Sequence, residues 1–213
     1  MPTAAIKICG ISTPDALDAA IRARAAHAGF VFFPRSPRNV TPAQAALLSE
    51  RAEGRIGRVG LFVDADDATI GEAVASARLD ALQLHGSESP ARAAQLRAQF
   101  GIAVWKALSV ATAEDAARAA TYAGAVDLVL FDAKTPKGSL PGGMGLSFDW
   151  NLVANWKSPI PWGLAGGLNP ENVAEAVRLT GAPLVDTSSG VESAPGVKDL
   201  DRIAAFARAL QAS

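Results

Sequence analysis

The chain has 213 residues, of which 49% are hydrophobic, and its formal net charge is −1. A charge this close to zero gives no electrostatic footprint for nucleic acid or a membrane surface, so we expect neither as a partner. No apolar run is long enough to cross a bilayer, and no signal segment with a basic start stands at the N-terminus. The single cysteine, Cys9, has no disulfide partner and suits a reducing compartment. We therefore expect a cytoplasmic protein.

Eight short apolar segments recur along the chain, and their composition is typical of buried parallel strands. Each is rich in β-branched, leucine or aromatic side chains. The segments are Ala5–Cys9, Ala28–Phe33, Val59–Val63, Ala81–His85, Ala103–Leu108, Leu128–Asp132, Trp162–Ala165 and Leu184–Thr187.

The stretches between these segments predict helices, and several helix starts are clearly marked. Thr41 with Gln44 predicts a capping box. The last helix is predicted from about Asp199 to Leu210, with Ile203, Phe206 and Leu210 facing inward. Four pairs place an N-cap residue before a proline at the first helical position: Thr13-Pro14, Thr41-Pro42, Ser89-Pro90 and Asn169-Pro170.

Eight strands alternating with helices predict an α/β fold with a parallel sheet, and a (β/α)8 TIM barrel is its natural closure. An open doubly wound sheet is the alternative. However, no G-x-G-x-x-G motif follows the first strand, where a dinucleotide-binding fold carries it. No linker divides the chain, so residues 1–213 are predicted to form one domain. The Gly-rich segment Gly138–Gly145 is interpreted as a mobile loop after the sixth strand.

Polar side chains stand at the ends of several predicted strands, where (β/α)8 barrels carry their chemistry. Each also has a structural interpretation: a lone cysteine is often a small buried hydrophobe, a histidine can be a satisfied core residue, and loop arginines are mostly solvated. Asp132 can cap a loop or pair with Lys134, and Asp186 can bond the backbone. The candidates are Cys9, Arg35, Arg38, His85, Asp132 and Asp186.

Two glycine-containing loops predict a phosphate site. Gly166-Gly167 follows the seventh strand, and Ser188-Ser189-Gly190 follows the eighth. Glycines let backbone N–H groups approach an anion closely, and barrels often bind phosphate at these two loops. The alternative is a pair of turns that need positive φ. Because both loops stand where a barrel places its phosphate site, we favour phosphate binding.

A set of short motifs recurs along nearly the whole chain: Lys7–Ile11, Gly29–Pro34 with Ser36 and Arg38, Val59–Val63, Leu82–Gly86, Asp132–Pro136, Phe148–Trp150, Gly166–Val173 and Val185–Glu192. In this order and at this spacing they are highly specific, and the chain resembles the phosphoribosylanthranilate isomerase family of tryptophan biosynthesis. The resemblance implies a (β/α)8 barrel that needs no cofactor and no metal. It also implies the conversion of N-(5-phosphoribosyl)anthranilate to 1-(2-carboxyphenylamino)-1-deoxyribulose 5-phosphate, an Amadori rearrangement.

The resemblance further implies that Cys9 is the general base, that Asp132 is the general acid and that Arg38 holds the anthranilate carboxylate. Opening the ribose ring needs a proton on the ring oxygen, which a protonated carboxyl group can supply. The resulting iminium acidifies the C2′–H, which a thiolate can remove, so we expect Cys9 to be partly ionised near neutral pH. Lys7 shares the strand parity of Cys9, and we expect it to lower the pKa of the thiol.

Two positions depart from the family pattern. Met144 stands where the sixth loop usually has threonine, and Asn39 follows Arg38 where an aromatic residue is common. Neither change touches the implied acid and base, but both bear on loop closure. His85 and Asp186 are candidate substrate-binding residues that orient either the substrate or the catalytic pair.

Other phosphoribosyl barrels and a barrel without activity are the rival interpretations. The histidine-pathway isomerase uses two aspartates, whereas the first strand here ends in cysteine, and indole-glycerol-phosphate synthase needs strand-end lysine and glutamate residues that have no match here. Intact Cys9, Asp132 and Arg38 argue against a non-catalytic phosphosugar-binding barrel or a scaffold partner of other pathway enzymes. The length leaves no appended dimerisation element, so we expect a monomer that binds a phosphorylated aminosugar, with a homodimer as the alternative.

Overall fold

The computed structural model describes residues 4–133, 145–154, 156–157 and 160–211. Eight parallel strands form a closed barrel in chain order, and β1 pairs with β8 to close it. This confirms the predicted (β/α)8 barrel and excludes the open doubly wound sheet. The strands are β1 Ala5–Cys9, β2 His27–Val31, β3 Gly57–Phe62, β4 Ala81–Leu84, β5 Ala103–Val110, β6 Leu128–Ala133, β7 Trp162–Leu164 and β8 Leu184–Thr187.

Helices lie between the strands, and a short hairpin follows β8. The hairpin is formed by β9 Glu192–Ala194 and β10 Val197–Lys198, which pair in antiparallel fashion. Within the described residues, no helix has both the length and the apolar character needed to span a bilayer. The helices are α1 Pro14–Arg22, α2 Pro42–Ala52, α3 Asp67–Ala77, α4 Pro90–Phe100, α5 Ala113–Ala117, α6 Val173–Thr180 and α7 Leu200–Gln211.

Three of the four predicted N-caps are confirmed. The side chains of Thr13, Thr41 and Ser89 each accept a hydrogen bond from the backbone three residues later. The predicted capping box is present as well, because the Gln44 side chain accepts from the Thr41 amide at 2.9 Å. These caps satisfy N–H groups that have no partner within the helix and so fix where each helix begins.

The fourth predicted helix start, at Asn169-Pro170, was wrong. The helix α6 begins at Val173, and Asn172 takes the cap position. The Asn169 amide donates to Asn172 Oδ1 at 2.8 Å, while the Asn169 carbonyl accepts from the amides of Asn172 and Val173. These bonds close a turn through Pro170, so the asparagine–proline pair begins a turn rather than the helix.

The bottom of the barrel interior is filled by apolar side chains. Leu184 precedes Asp186 by two positions on β8, and Ala81 precedes Gln83 by two on β4, so the apolar layer lies directly below a polar one. The other parity of each strand packs against the helices. The apolar layer therefore closes one end of the barrel and leaves the carboxyl ends of the strands as the open end. Its buried members are Val59, Ala81, Trp105, Ala107, Leu130 and Leu184.

Candidate active site

Ten of the eleven candidate residues line one cavity at the carboxyl ends of the strands. The cavity measures about 820 Å³, counting space that is open to solvent. Arg35 is exposed and does not line it. Lys134, Met144 and all of Gly138–Gly145 except its last residue lie outside the described residues, so the predictions about them stay predictions. The ten lining residues are Cys9, Arg38, His85, Asp132, Gly166, Gly167, Asp186, Ser188, Ser189 and Gly190.

A buried ion pair lies beneath the Cys9 thiol. Lys7 is completely buried and donates to both carboxylate oxygens of Asp186, at 2.9 and 2.8 Å. Gly29 on the neighbouring strand makes room for this arrangement: a Cβ atom there would lie 3.0 Å from Cys9 Sγ and 3.2 Å from Lys7 Nζ. Asp186 therefore contacts Lys7 in addition to lining the cavity, and Lys7 is positioned to act on the thiol.

Burial raises the pKa of the Cys9 thiol. The positive charges of Lys7 and Lys198 oppose this shift, while the charge of Asp186 adds to it. Lys7 thus lowers the pKa of Cys9 in the direction expected from the sequence, but burial outweighs it. The arrangement in this structure favours the thiol, contrary to the expectation of a partly ionised Cys9.

Asp132 and His85 contact each other across the barrel mouth. His85 Nε2 lies 3.1 Å from Asp132 Oδ2, and the Ala133 amide donates to Asp132 Oδ1 at 2.8 Å. Both side chains are largely buried: 11% of the His85 side chain and 9% of the Asp132 side chain are exposed. The sequence named both residues as candidates, and the structure adds that His85 contacts the carboxyl group directly.

Arg38 is held by Glu192, a residue that was not among the candidates. The guanidinium donates from Nε to Glu192 Oε1 at 2.8 Å and from Nη2 to Oε2 at 2.7 Å. Lys198 donates to Glu192 Oε1 at 2.7 Å and to the Ser188 carbonyl at 3.0 Å. Burial would raise the pKa of Glu192, but the two cations outweigh it and lower that pKa. The result is a network with two positive charges and one negative charge between the Arg38 loop and the phosphate loop.

The two predicted phosphate loops lie side by side in the cavity. Gly166 and Gly167 have φ values of +84° and +65°, a region that favours glycine. A Cβ atom on Gly190 would collide with the Leu168 carbonyl oxygen, so the backbone there passes closer than a side chain allows. Positive φ thus requires glycine in the loop after β7, and close backbone packing requires it in the loop after β8.

Glu192, Lys198 and Gln83 are the residues at this site that the sequence did not single out. Gln83 could have been found by strand parity, because it stands two positions before His85 on β4. Glu192 lies in one of the quoted motifs, but nothing local shows that it reaches Arg38. Lys198 arrives through the β9–β10 hairpin and carries no such signal.

Comparisons with known proteins find relatives that match this chain over nearly its whole length. Residues 6–209 match the family N-(5′-phosphoribosyl)anthranilate (PRA) isomerase. A relative named N-(5′-phosphoribosyl)anthranilate isomerase, from Paramagnetospirillum magneticum, is 56% identical over 205 residues, covering 96% of this chain and 95% of its own.

Solved structures resemble the barrel over nearly its full length. Two structures of phosphoribosylanthranilate isomerase from Thermotoga maritima are 34% identical, cover 99% of this chain and 100% of their own, and have TM-scores of 0.89 and 0.84; the second is described as monomers of a dimeric enzyme. A third, with 32% identity, the same coverage and a TM-score of 0.86, is a complex with reduced 1-(o-carboxyphenylamino)-1-deoxyribulose 5-phosphate.

Proposed function

The chain belongs to the N-(5′-phosphoribosyl)anthranilate isomerase family and catalyses that isomerisation in tryptophan biosynthesis, and we propose that Cys9 and Asp132 are its base and acid. The observation that carries the proposal is that both side chains line one cavity together with Arg38 and the two phosphate loops. A non-catalytic phosphosugar-binding barrel is not favoured, because a reactive pair with its supporting charges would have no use there.

In the proposed first step, Asp132 gives its proton to the ribose ring oxygen as the C–O bond breaks. The ring opens to an iminium, whose positive charge makes the C2′–H acidic. Cys9 then removes that proton, and the enolamine that forms tautomerises to the ketone. No electron acceptor is needed, because C2′ is oxidised while C1′ is reduced in the same molecule.

The ionisation of Cys9 follows from the order of these steps. Burial raises the pKa of the thiol before the reaction, and Lys7 supplies an opposing positive charge. The iminium adds a further positive charge next to the sulfur when ring opening is complete. The thiolate is therefore stabilised at the step that uses it, and it need not persist in the resting protein.

The remaining candidate residues are assigned to substrate binding or to positioning the acid and the base. Arg38 holds the anthranilate carboxylate, and its orientation is fixed by the two bonds to Glu192. His85 orients Asp132, and Asp186 acts through Lys7. The phosphate is assigned to the two loops formed by Gly166, Gly167, Ser188, Ser189 and Gly190.

The fluorescence of the anthranilate substrate tests the proposal. The substrate is made in situ from anthranilate and phosphoribosyl pyrophosphate by the preceding transferase, and its signal falls when the isomerase acts. Cys9→Ala and Asp132→Asn should each lower kcat by roughly 10²–10⁴-fold, with a modest change in substrate binding. Asp201→Asn, an exposed position on α7, is the matched control and should keep full activity. Retention of kcat within threefold or so by either site variant would contradict its assigned role.

We also propose that residues 1–213 form one domain that acts as a monomer in the cytoplasm. The family includes both monomeric and dimeric forms among its solved structures. Sedimentation velocity at micromolar concentration distinguishes them, since the mass derived from the sedimentation profile of a dimer would be twice that of a monomer.

A further inference from the structure

Gln83 is a buried polar residue that the proposed mechanism does not use. It lies on β4 two positions before His85, so both side chains point into the barrel. The side chain is 1% exposed, and its amide nitrogen lies 3.2 Å from His85 Nδ1. Its amide oxygen is buried and has no hydrogen-bond partner among the described residues. A buried oxygen without a partner is unfavourable, so apolar packing alone does not account for Gln83.

The orientation of the Gln83 amide bears on which nitrogen of His85 carries the hydrogen. In the orientation that the structure gives it, the amide nitrogen faces Nδ1 and donates to it, so the neutral ring carries its hydrogen on Nε2. That nitrogen lies 3.1 Å from Asp132 Oδ2 and donates to it. Asp132 Oδ1 already accepts from the Ala133 amide. Each oxygen of Asp132 therefore faces one N–H donor.

We propose that Gln83 is a positioning residue that fixes the tautomer of His85, so that Nε2–H supports Asp132 after it has given up its proton. This inference rests on the proposed role of Asp132 as the acid. The hydrogen bond from Nε2 stabilises the negative charge that develops on the carboxyl group during ring opening, and it is in place before the step begins. Gln83 acts through His85 and makes no contact with the reacting atoms.

Several charged groups lie around His85, but Gln83 is the hydrogen-bond partner of Nδ1 within the described part of the chain. The ammonium group of Lys106 donates to the carbonyls of Leu84 and Gly86, the two neighbours of His85 in the chain. A substitution at Gln83 therefore changes the tautomer without removing a charge. The charged groups are Asp132 on β6, Asp186 on β8, Lys106 on β5, and Asp64 and Glu88 in the loops after β3 and β4.

Nitrogen-15 NMR of the full chain tests the proposal directly. The chain has two histidines, His27 and His85, so histidine labelling gives two side-chain patterns that a His27→Gln variant assigns. In the neutral form of His85, we expect the hydrogen to lie on Nε2. In Gln83→Glu, the carboxylate should hold a hydrogen on Nδ1 and convert His85 to the doubly protonated form. A wild-type spectrum with the hydrogen on Nδ1, or an unchanged spectrum in Gln83→Glu, would overturn the proposal.

Kinetics provide the second readout. Gln83→Leu should lower kcat about tenfold, the value of one hydrogen bond, while KM changes little. Gln95→Leu, an exposed glutamine on α4, is the control and should change neither the spectrum nor kcat. If Gln83→Leu does not fold, the wild-type and Gln83→Glu spectra still decide the question. Full activity in Asp132→Asn would refute the proposed acid but leave the wild-type His85 spectrum as expected, so the two failures are distinguishable.

Discussion

Replacing Lys7 with methionine tests the ion pair beneath the thiol. Lys7 is completely buried and Asp186 is 7% exposed, so removing the ammonium leaves a carboxyl group in the barrel interior without its partner. Breaking a buried pair in this way costs about 3–5 kcal/mol of unfolding free energy. Adding Asp186→Leu removes the unpaired group, and apolar replacements of buried pairs are often neutral or stabilising. The double variant should therefore recover most of the loss, as measured by urea unfolding followed by tryptophan fluorescence.

The same variants separate stability from thiol chemistry. Cys9 is the only cysteine, so alkylation by iodoacetamide reports on it alone. Lys7 lowers the pKa of Cys9 against the larger effect of burial, so Lys7→Met should move the pH profile of alkylation to higher pH. In the double variant the stability should return, while the profile should stay at higher pH than in the wild type. The shift should be smaller than in Lys7→Met, because Asp186→Leu removes a charge that raises the pKa of Cys9. An unchanged alkylation profile would refute the role of Lys7 at the thiol. A loss of less than about 1 kcal/mol of unfolding free energy in Lys7→Met would refute the contribution of the Lys7–Asp186 pair to stability. Lys157→Met, at an exposed position, is the control.

Three further substitutions follow from the packing of the site. Gly29→Ala would place a methyl carbon 3.0 Å from Cys9 Sγ, so alkylation should slow and unfolding free energy should fall by about 1–3 kcal/mol in urea titrations. Gly190→Ala forces the phosphate loop away from the Leu168 carbonyl and should raise KM more than it lowers kcat in steady-state assays. Glu192 has a lowered pKa, so its contribution to stability is present above pH 4.5 and lost as the pH falls further. Glu192→Gln should flatten this pH dependence of unfolding; an unaltered slope would contradict the assignment.

The strands were predictable because each is a local signal, a short apolar run that the barrel buries. Their order was predictable because consecutive parallel strands with helices between them have few ways to close. The start of α6 was not predictable, since an asparagine–proline pair can begin a turn as well as a helix. Only the reciprocal bonds with Asn172, which depend on the loop path, distinguish the two.

Part of the site could be predicted from which residues stand at the ends of strands, but their partners from outside the strands could not. Residues at the ends of strands converge whatever their neighbours are, so Cys9 and Asp132 could be placed in one cavity from the sequence. The partners of Arg38 could not, because Glu192 reaches it through a hairpin that lies outside the strand repeat. The protonation of Cys9 was likewise out of reach, since it depends on how completely the thiol is buried.

The pairing of β1 with β8 has a consequence for synthesis of the chain. Lys7 and its carboxylate partner are 179 positions apart, and Arg38 and Glu192 are 154 apart. At a typical ribosomal rate, Asp186 is added on the order of 10–40 seconds after Lys7. During that interval the nascent chain carries both basic residues without their acidic partners. The ion pair beneath the thiol is thus completed only when β8, the last strand of the barrel, has been made, and a chain that stops before β8 can hold neither pair.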